Sequence, residues 1–226
     1  VRLSELDWLR VILIFAVFLH HVCMPFNGDN WHIMNNDSSK VLDDIMVYFE
    51  QFRLPILFFI SGVGSVILLS KVTVVKFIKD KFLRLFIPLL IGSLLVIPPQ
   101  IYMENIVEMQ SYWREYPSLA LKFETNHLWF IEYLFVFFLL AIPLNKLFSS
   151  SLGTSIINFV QKLSKHKIGL YLLVILLIII KVYFSLTFPS NDQKIENLSY
   201  SAFYFFFFIA GMLFVRSNVI WQAIYE

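Results

Sequence analysis

Long runs of apolar residues alternate with short polar segments along the chain. Each run is close to the roughly 17–25 residues that an α-helix needs to cross a bilayer. Pro88, Pro98 and Pro99 in the third run, and Pro143 near the end of the fourth, predict bends or early helix ends. The pattern predicts an all-α, polytopic transmembrane helix bundle with about six spanning helices. The runs are 8–26, 47–69, 82–102, 128–148, 168–188 and 200–215.

The first run carries titratable side chains at both ends of an uncharged, apolar middle. Arg10 and His21 are eleven positions apart. A rotation of about 100° and a rise of about 1.5 Å per residue place them within about 20° of one helix face and about 16 Å apart along the axis. His20 lies about 80° from Arg10 on the same reckoning. One face of a membrane helix therefore presents a guanidinium near one end and an imidazole near the other.

Composition supports the membrane interpretation. Of the 226 residues, 58% are hydrophobic and 15% are charged, whereas a soluble domain has nearer half and a quarter. The single cysteine, Cys23, excludes an intrachain disulfide and a cysteine-based metal site. His20 and His21 point apart on a helix and no third ligand is evident, so we expect no metal centre. We also expect no nucleic-acid partner.

The basic residues predict the orientation of the bundle, because Lys and Arg flanking spanning helices concentrate on the cytoplasmic side. Eleven such residues flank the runs on one side and four on the other. This asymmetry predicts a multi-pass protein with a cytoplasmic N-terminus. The eleven are Arg2, Lys71, Lys76, Lys79, Lys81, Arg84, Lys146, Lys162, Lys165, Lys167 and Arg216, and the four are Lys40, Arg114, Lys122 and Lys194.

With this orientation, ionisable groups of several helices fall in the outer third of the bilayer. His21 ends the first run there, and Arg53 lies in the outer part of the second run with Glu50 at i−3. Glu132 lies about a turn and a half into the fourth run. Charges at such depths are costly and usually face a bundle interior or a water-filled cavity. The shared depth predicts a common polar site.

Each polar group also has a structural interpretation. Lys181 in the fifth run can extend its ammonium to the interface. Arg53 can form a structural ion pair with Glu132, or with Glu50 on its own helix. Two further histidines are expected to be packing or helix-start residues: His20, which lies off the Arg10 face, and His127.

Four segments resemble, in family order, motifs of the acyltransferase-3 family of membrane acyltransferases. Together they cover about residues 6–135. The segment LDWLR, followed by ten residues and His21, is similar to the family's opening helix, and FRLPILFFISG at 52–62 is similar to its second-helix motif. The segment KFLRLFIPLLIG at 81–92 resembles the start of the family's third helix. The segment HLWFIEYLF at 127–135 resembles the signature of the branch with glucan-modifying members.

The resemblance implies a bacterial inner-membrane O-acyltransferase. Such an enzyme moves an acyl group, commonly acetyl or succinyl, from cytoplasmic acyl-CoA to a hydroxyl of a carbohydrate outside the membrane. The family's proposed catalytic histidine corresponds to His21, and its first two helix arginines correspond to Arg10 and Arg53. Family members have about ten helices, so residues 1–226 are expected to form one acyltransferase-3-like domain truncated at its C-terminus. The frequent glycine after the opening Leu-Asp is Trp8 here, which leaves the branch open.

The donor side of this reaction requires cations, because the phosphates of acyl-CoA cannot enter lipid. Acyl-CoA is expected as a co-substrate, with no permanently bound cofactor. The predicted donor-binding residues stand near the cytoplasmic face, where the slender pantetheine arm would enter along the first helix. They are Arg10, Lys79, Lys81 and Arg84.

The acceptor side requires a base and a donor for the developing oxyanion. A neutral imidazole can remove the proton of a sugar hydroxyl near neutral pH, and we assign this role to His21. Arg53 is the predicted oxyanion donor. Glu132 is predicted to orient His21 or to hold Arg53 in place. A covalent acyl-imidazole route is equally compatible with these residues.

A glycan exporter or transporter without acyl-transfer chemistry is the alternative, since buried ionisable residues also mark transport paths. The sequence shows no inverted repeat and no matching pair of broken helices, which such transporters often have. A non-catalytic membrane subunit would fit the hydropathy but gives no reason for Arg10, His21 and Arg53.

Overall fold

The computed structural model describes residues 4–27, 34–166, 168–189 and 195–223. Within these ranges the chain is helical and contains no strand, so the predicted all-α fold class is confirmed. Three of the basic residues used to predict orientation, Arg2, Lys167 and Lys194, lie outside the described residues.

The described ranges contain nine helices, and six of them hold the six predicted apolar runs. By length and composition, four stretches can cross a membrane, namely Ser4–Phe26, Lys40–Leu69, Val74–Glu104 and Tyr112–Phe148, while Tyr171–Thr187 and Leu198–Phe214 are shorter apolar helices. The helices are α1 (Ser4–Cys23), α2 (Lys40–Leu69), α3 (Val74–Glu104), α4 (Tyr112–Leu121), α5 (Trp129–Phe148), α6 (Ser151–Ser164), α7 (Tyr171–Thr187), α8 (Leu198–Phe214) and α9 (Asn218–Gln222).

Polar residues in the links determine where several helices begin. A side-chain oxygen just before the helix accepts a hydrogen bond from a backbone N–H of the first turn, which has no partner within the helix. Ser39 accepts from the N–H of Leu42 in this way at the start of α2. The same arrangement occurs before α3, α6, α8 and α9, at Thr73, Ser150, Asn197 and Ser217.

Helix α3 continues past its three prolines, Pro88, Pro98 and Pro99, so the early helix end that the sequence allowed, as an alternative to a bend, does not occur. One π-helical segment, Phe82–Phe86, lies just before Pro88, and another, Gly92–Val96, lies just before the Pro98–Pro99 pair. In the first segment, the N–H of Ile87 donates to the carbonyl of Phe82, five residues earlier. The wider turn accommodates a ring that would clash with the carbonyl one turn back in a regular α-helix.

Helix α2 is the centre of the bundle and packs against α1, α5 and α8. Its contact with α8 is a backbone-to-backbone approach. A Cβ atom at Gly62 would overlap the carbonyl oxygen of Phe208, and one at Gly211 would overlap that of Phe59. Small residues at a helix crossing allow this approach in membrane bundles. The pair fixes α2 and α8 relative to one another.

An aromatic core fills the space between α2, α5 and α8. Phe58, Tyr133 and Phe208 are fully buried there. The ring centroid of Phe58 lies 4.8 Å from that of Phe130 and 4.9 Å from that of Tyr204, in tilted arrangements that aromatic pairs favour. By contrast, α1 buries only Leu13 and α7 buries no residue within the described part of the chain. Because α2 belongs to this core and also packs against α1, the core supports the α2 side of the space between α1 and α2.

Candidate functional site

A cavity of about 520 Å³ lies between α1, α2 and the start of α5, at the His21 end of α1. Apolar side chains form most of its wall, and a cluster of polar groups faces into it. Two of the predicted site residues, His21 and Arg53, meet in this cavity. The polar lining residues used below are His20, His21, Glu50, Arg53, His127 and Tyr204.

His21 lies in the last turn of α1, and its ring is held by the helix itself. Its Nδ1 atom lies 2.8 Å from the carbonyl oxygen of Val17, one turn earlier. A carbonyl oxygen can only accept, so Nδ1 carries the hydrogen and the lone pair of the neutral ring is on Nε2. The His21 ring centroid is 6.3 Å from that of His127. This arrangement provides an oriented proton acceptor on an exposed imidazole.

Arg53 is a buried cation without its full set of partners. The residue is 4% exposed, and its Nε and Nη1 atoms have no hydrogen-bond partner among the described residues. Neither atom therefore bonds to Glu50 or Glu132, the two carboxylates considered for a structural ion pair. Buried polar groups in native proteins are nearly always paired. Donors left unpaired in a cavity wall are available to a ligand.

Sequence reasoning did not assign a functional role to Tyr204 or His20, which also line this cavity. Tyr204 sits in an apolar stretch of α8, and its ring packs against Phe58 and Trp129 with centroids 4.9 and 5.5 Å apart. The Nδ1 atom of His20 is buried without a partner among the described residues. Helical rotation places His20 off the Arg10 face, but it still lines the cavity formed where α2 packs against α1, which the sequence of α1 alone does not reveal.

A second cavity, of about 430 Å³, lies at the Arg10 end of α1 and carries the cationic side chains Arg10, Lys71 and Lys81. Arg10 extends across to α2, where a Cβ atom at Gly64 would lie 3.6 Å from its Nη2 atom. The Nζ atom of Lys81 lies 3.6 Å from the ring centroid of Phe138 on α5, within cation–π distance. Cations from three separate segments thus converge on one space and favour an anionic ligand.

The two cavities are neighbours along α1 and share three lining residues, Ile14, Leu57 and Phe130. Arg10 and His21 lie on one helix face, as the residue spacing predicts, and each lines one of the two cavities. A molecule with an anionic group at one end and a reactive group at the other could therefore occupy both cavities.

Other predicted residues lie outside both cavities. Glu132 is half-buried on α5 and lines neither cavity, and Lys79 and Arg84 are exposed on α3 and line neither. Their assigned roles stay predictions. Lys181 is exposed on α7, with its Nζ atom 4.8 Å from the ring centroid of Phe203. Within the described part of the chain, no group of three His, Cys, Asp or Glu side chains could hold a metal ion.

Comparison with known proteins identifies the family. A family model described as an acyltransferase domain matches residues 3–224, nearly the whole chain. The chain belongs to the acyltransferase-3 family. This match confirms the resemblance seen in the four motifs, and it extends over the later helices, where the sequence agreed with the family only in hydropathy. Together with the apolar helices it indicates a multi-pass membrane protein.

Among curated proteins, this acyltransferase-3 chain is similar to proteins named glucans biosynthesis protein C. It is 28% identical over 158 residues to the one from Escherichia coli (strain K12) and 27% identical over the same length to the one from Shigella dysenteriae serotype 1 (strain Sd197). The matches cover 66% of this chain and 40% of each relative, so the chain spans less than half the length of these relatives. No solved structure matches it.

Proposed function

We propose that the protein transfers an acyl group from acyl-CoA to a hydroxyl of a carbohydrate. The proposal is supported by membership of an acyltransferase family. The observation that carries it is the pair of adjacent cavities along α1, with Arg10, Lys71 and Lys81 lining one and His21 with Arg53 lining the other.

The cationic cavity is the proposed site for the phosphates of the donor. Phosphate oxygens accept charge-assisted hydrogen bonds from Arg and Lys, which are shorter and stronger than neutral ones. Arg10 supplies a fork of donors, and Lys71 and Lys81 supply point charges. The positive-inside asymmetry favours placing the Arg10 end of α1 on the cytoplasmic side, where acyl-CoA is available. The proposed location of the protein is the bacterial inner membrane.

The chemistry proceeds at the cavity that contains His21. The acceptor hydroxyl oxygen attacks the thioester carbonyl carbon while Nε2 of His21 takes the hydroxyl proton. A C–O bond forms, and the tetrahedral intermediate then collapses with cleavage of the C–S bond. The imidazolium returns the proton to the departing sulfur, so the products are the ester and the CoA thiol. A transient acyl-imidazole would use the same side chain as a nucleophile instead.

Arg53 is the proposed donor to the oxyanion of this intermediate. Its buried Nε and Nη1 groups are already desolvated and need not break other bonds to meet developing charge. Preorganised donors of this kind are usually the largest single contribution to acyl-transfer catalysis. Because Glu132 does not line the cavity, the proposal does not depend on it as an orienting residue.

A glucan is the first acceptor to test, because the curated relatives are named for glucan biosynthesis. Membranes containing the protein would be incubated with labelled acetyl-CoA or succinyl-CoA, with and without a soluble glucan. The proposal requires label in the glucan together with glucan-dependent release of CoA thiol.

The matched control is a second histidine. His21→Ala should abolish transfer, whereas His166→Ala, at an exposed histidine outside both cavities, should leave it intact. Movement of glucan without release of CoA thiol would instead identify the transporter alternative.

A further inference from the structure

Three side chains separate the two cavities. Ile14 of α1, Leu57 of α2 and Phe130 of α5 line both, and no other described residue does. All three are apolar and each comes from a different helix. We call these three residues the apolar waist.

The apolar waist lies on the direct line between the proposed phosphate site and the proposed base. Ile14 is four residues after Arg10 and seven before His21, which corresponds to about 6 Å and about 10 Å along the helix axis. The rotation between these positions keeps all three within about 40° of one helix face. A thioester that starts beside Arg10 and reacts beside His21 must therefore pass Ile14.

Packing holds Leu57 and Phe130 of the apolar waist in place, whereas the side chain of Ile14 can be varied in size. Leu57 is 5% exposed within the hydrophobic core, and the Phe130 ring packs 4.8 Å from that of Phe58 and 6.4 Å from that of Trp129. Close-packed side chains of this kind do not move aside without cost. Ile14 is 55% exposed, so its size can be changed without opening a cavity in the core.

We propose that the apolar waist selects the acyl group by its width, with Ile14 as the specificity-determining residue. The proposal rests on the proposed function, because only a donor held at the Arg10 end has to bring its acyl group past these side chains. Acetyl is the narrowest of the acyl groups considered. A branched acyl group of the same charge, such as isobutyryl, meets Ile14 and is excluded by contact.

The experiment compares acetyl-CoA and isobutyryl-CoA as donors, with wild-type protein and two Ile14 variants in membranes. Ile14→Ala should raise the ratio of kcat/KM for isobutyryl-CoA over acetyl-CoA about ten-fold, the discrimination that a few carbon atoms provide in an apolar pocket. Ile14→Trp should lower transfer from both donors. The matched controls are Ile178→Ala and Ile178→Trp on α7, where the isoleucine is also 55% exposed and lines neither cavity.

The outcomes separate this proposal from the one on which it rests. If Ile14→Ala still transfers acetyl but its ratio of kcat/KM for isobutyryl-CoA over acetyl-CoA is unchanged, the proposal that the apolar waist selects the acyl group is overturned. The acyltransferase assignment is then left standing. The same change in ratio with Ile178→Ala would also overturn the proposal that the apolar waist selects the acyl group. If the wild-type protein transfers no acyl group from acetyl-CoA, isobutyryl-CoA or succinyl-CoA, the proposed function fails and the inference fails with it. Transfer from succinyl-CoA alone would overturn the inference and leave the proposed function standing.

Discussion

At the residue scale, the account depends on two side chains in one cavity with different tasks. His21 is exposed and oriented by the Val17 carbonyl, whereas Arg53 is buried with two nitrogen atoms unpaired. The sequence predicted both from motif and depth. It did not predict the presence of Tyr204 or His20 in the same cavity wall, because their placement depends on how α8 and α2 pack against their neighbours.

Arg53→Met distinguishes a catalytic arginine from a structural one. Removal of an oxyanion donor should lower kcat about 10²–10³-fold with little change in KM. The thermal unfolding temperature should not fall, since the substitution removes a buried guanidinium with two unpaired donor nitrogens and keeps a long apolar side chain. If Arg53 were instead one half of a structural ion pair, the variant would lose about 3–5 kcal/mol of stability.

At the element scale, the apolar pattern predicted the six main helices well because the length of a spanning helix is imposed by the bilayer. It did not predict α4 and α6, which are short helices in polar links. It also could not show that α3 continues past Pro88 and Pro98, because the π-helical turns that accommodate them depend on hydrogen-bond register rather than on hydropathy.

The contact between α2 and α8 should be the most sensitive helix crossing. Gly62→Ala places a Cβ atom on the Phe208 carbonyl, so the helices must separate, at a cost of about 1–3 kcal/mol typical of overpacking. Gly64→Ala, two residues further along α2, makes only an ordinary contact with Arg10. Thermal unfolding in detergent should show a lower midpoint for the first variant alone. Equal midpoints would mean that the crossing can relax freely.

At the scale of the whole molecule, the cationic cavity should control the affinity for the donor. Lys81→Gln removes a charge that lines it and should raise KM for acyl-CoA up to about five-fold, the equivalent of one modest ion pair. Arg84→Gln removes an exposed charge outside the cavity and should have the smaller effect. Steady-state kinetics with varied acyl-CoA concentration would compare the two variants. A larger rise in KM for Arg84→Gln than for Lys81→Gln would contradict this assignment and place the donor site at Arg84, further along α3.

The central claim is that one reaction joins the two ends of α1 across the membrane. Sealed, inverted membrane vesicles with glucan trapped inside and labelled acetyl-CoA added outside test this directly. The account predicts that the enclosed glucan becomes labelled without permeabilisation, and that His21→Ala abolishes the labelling. Labelling that occurs only after the vesicles are opened, or only of glucan added on the same side as acetyl-CoA, would contradict it.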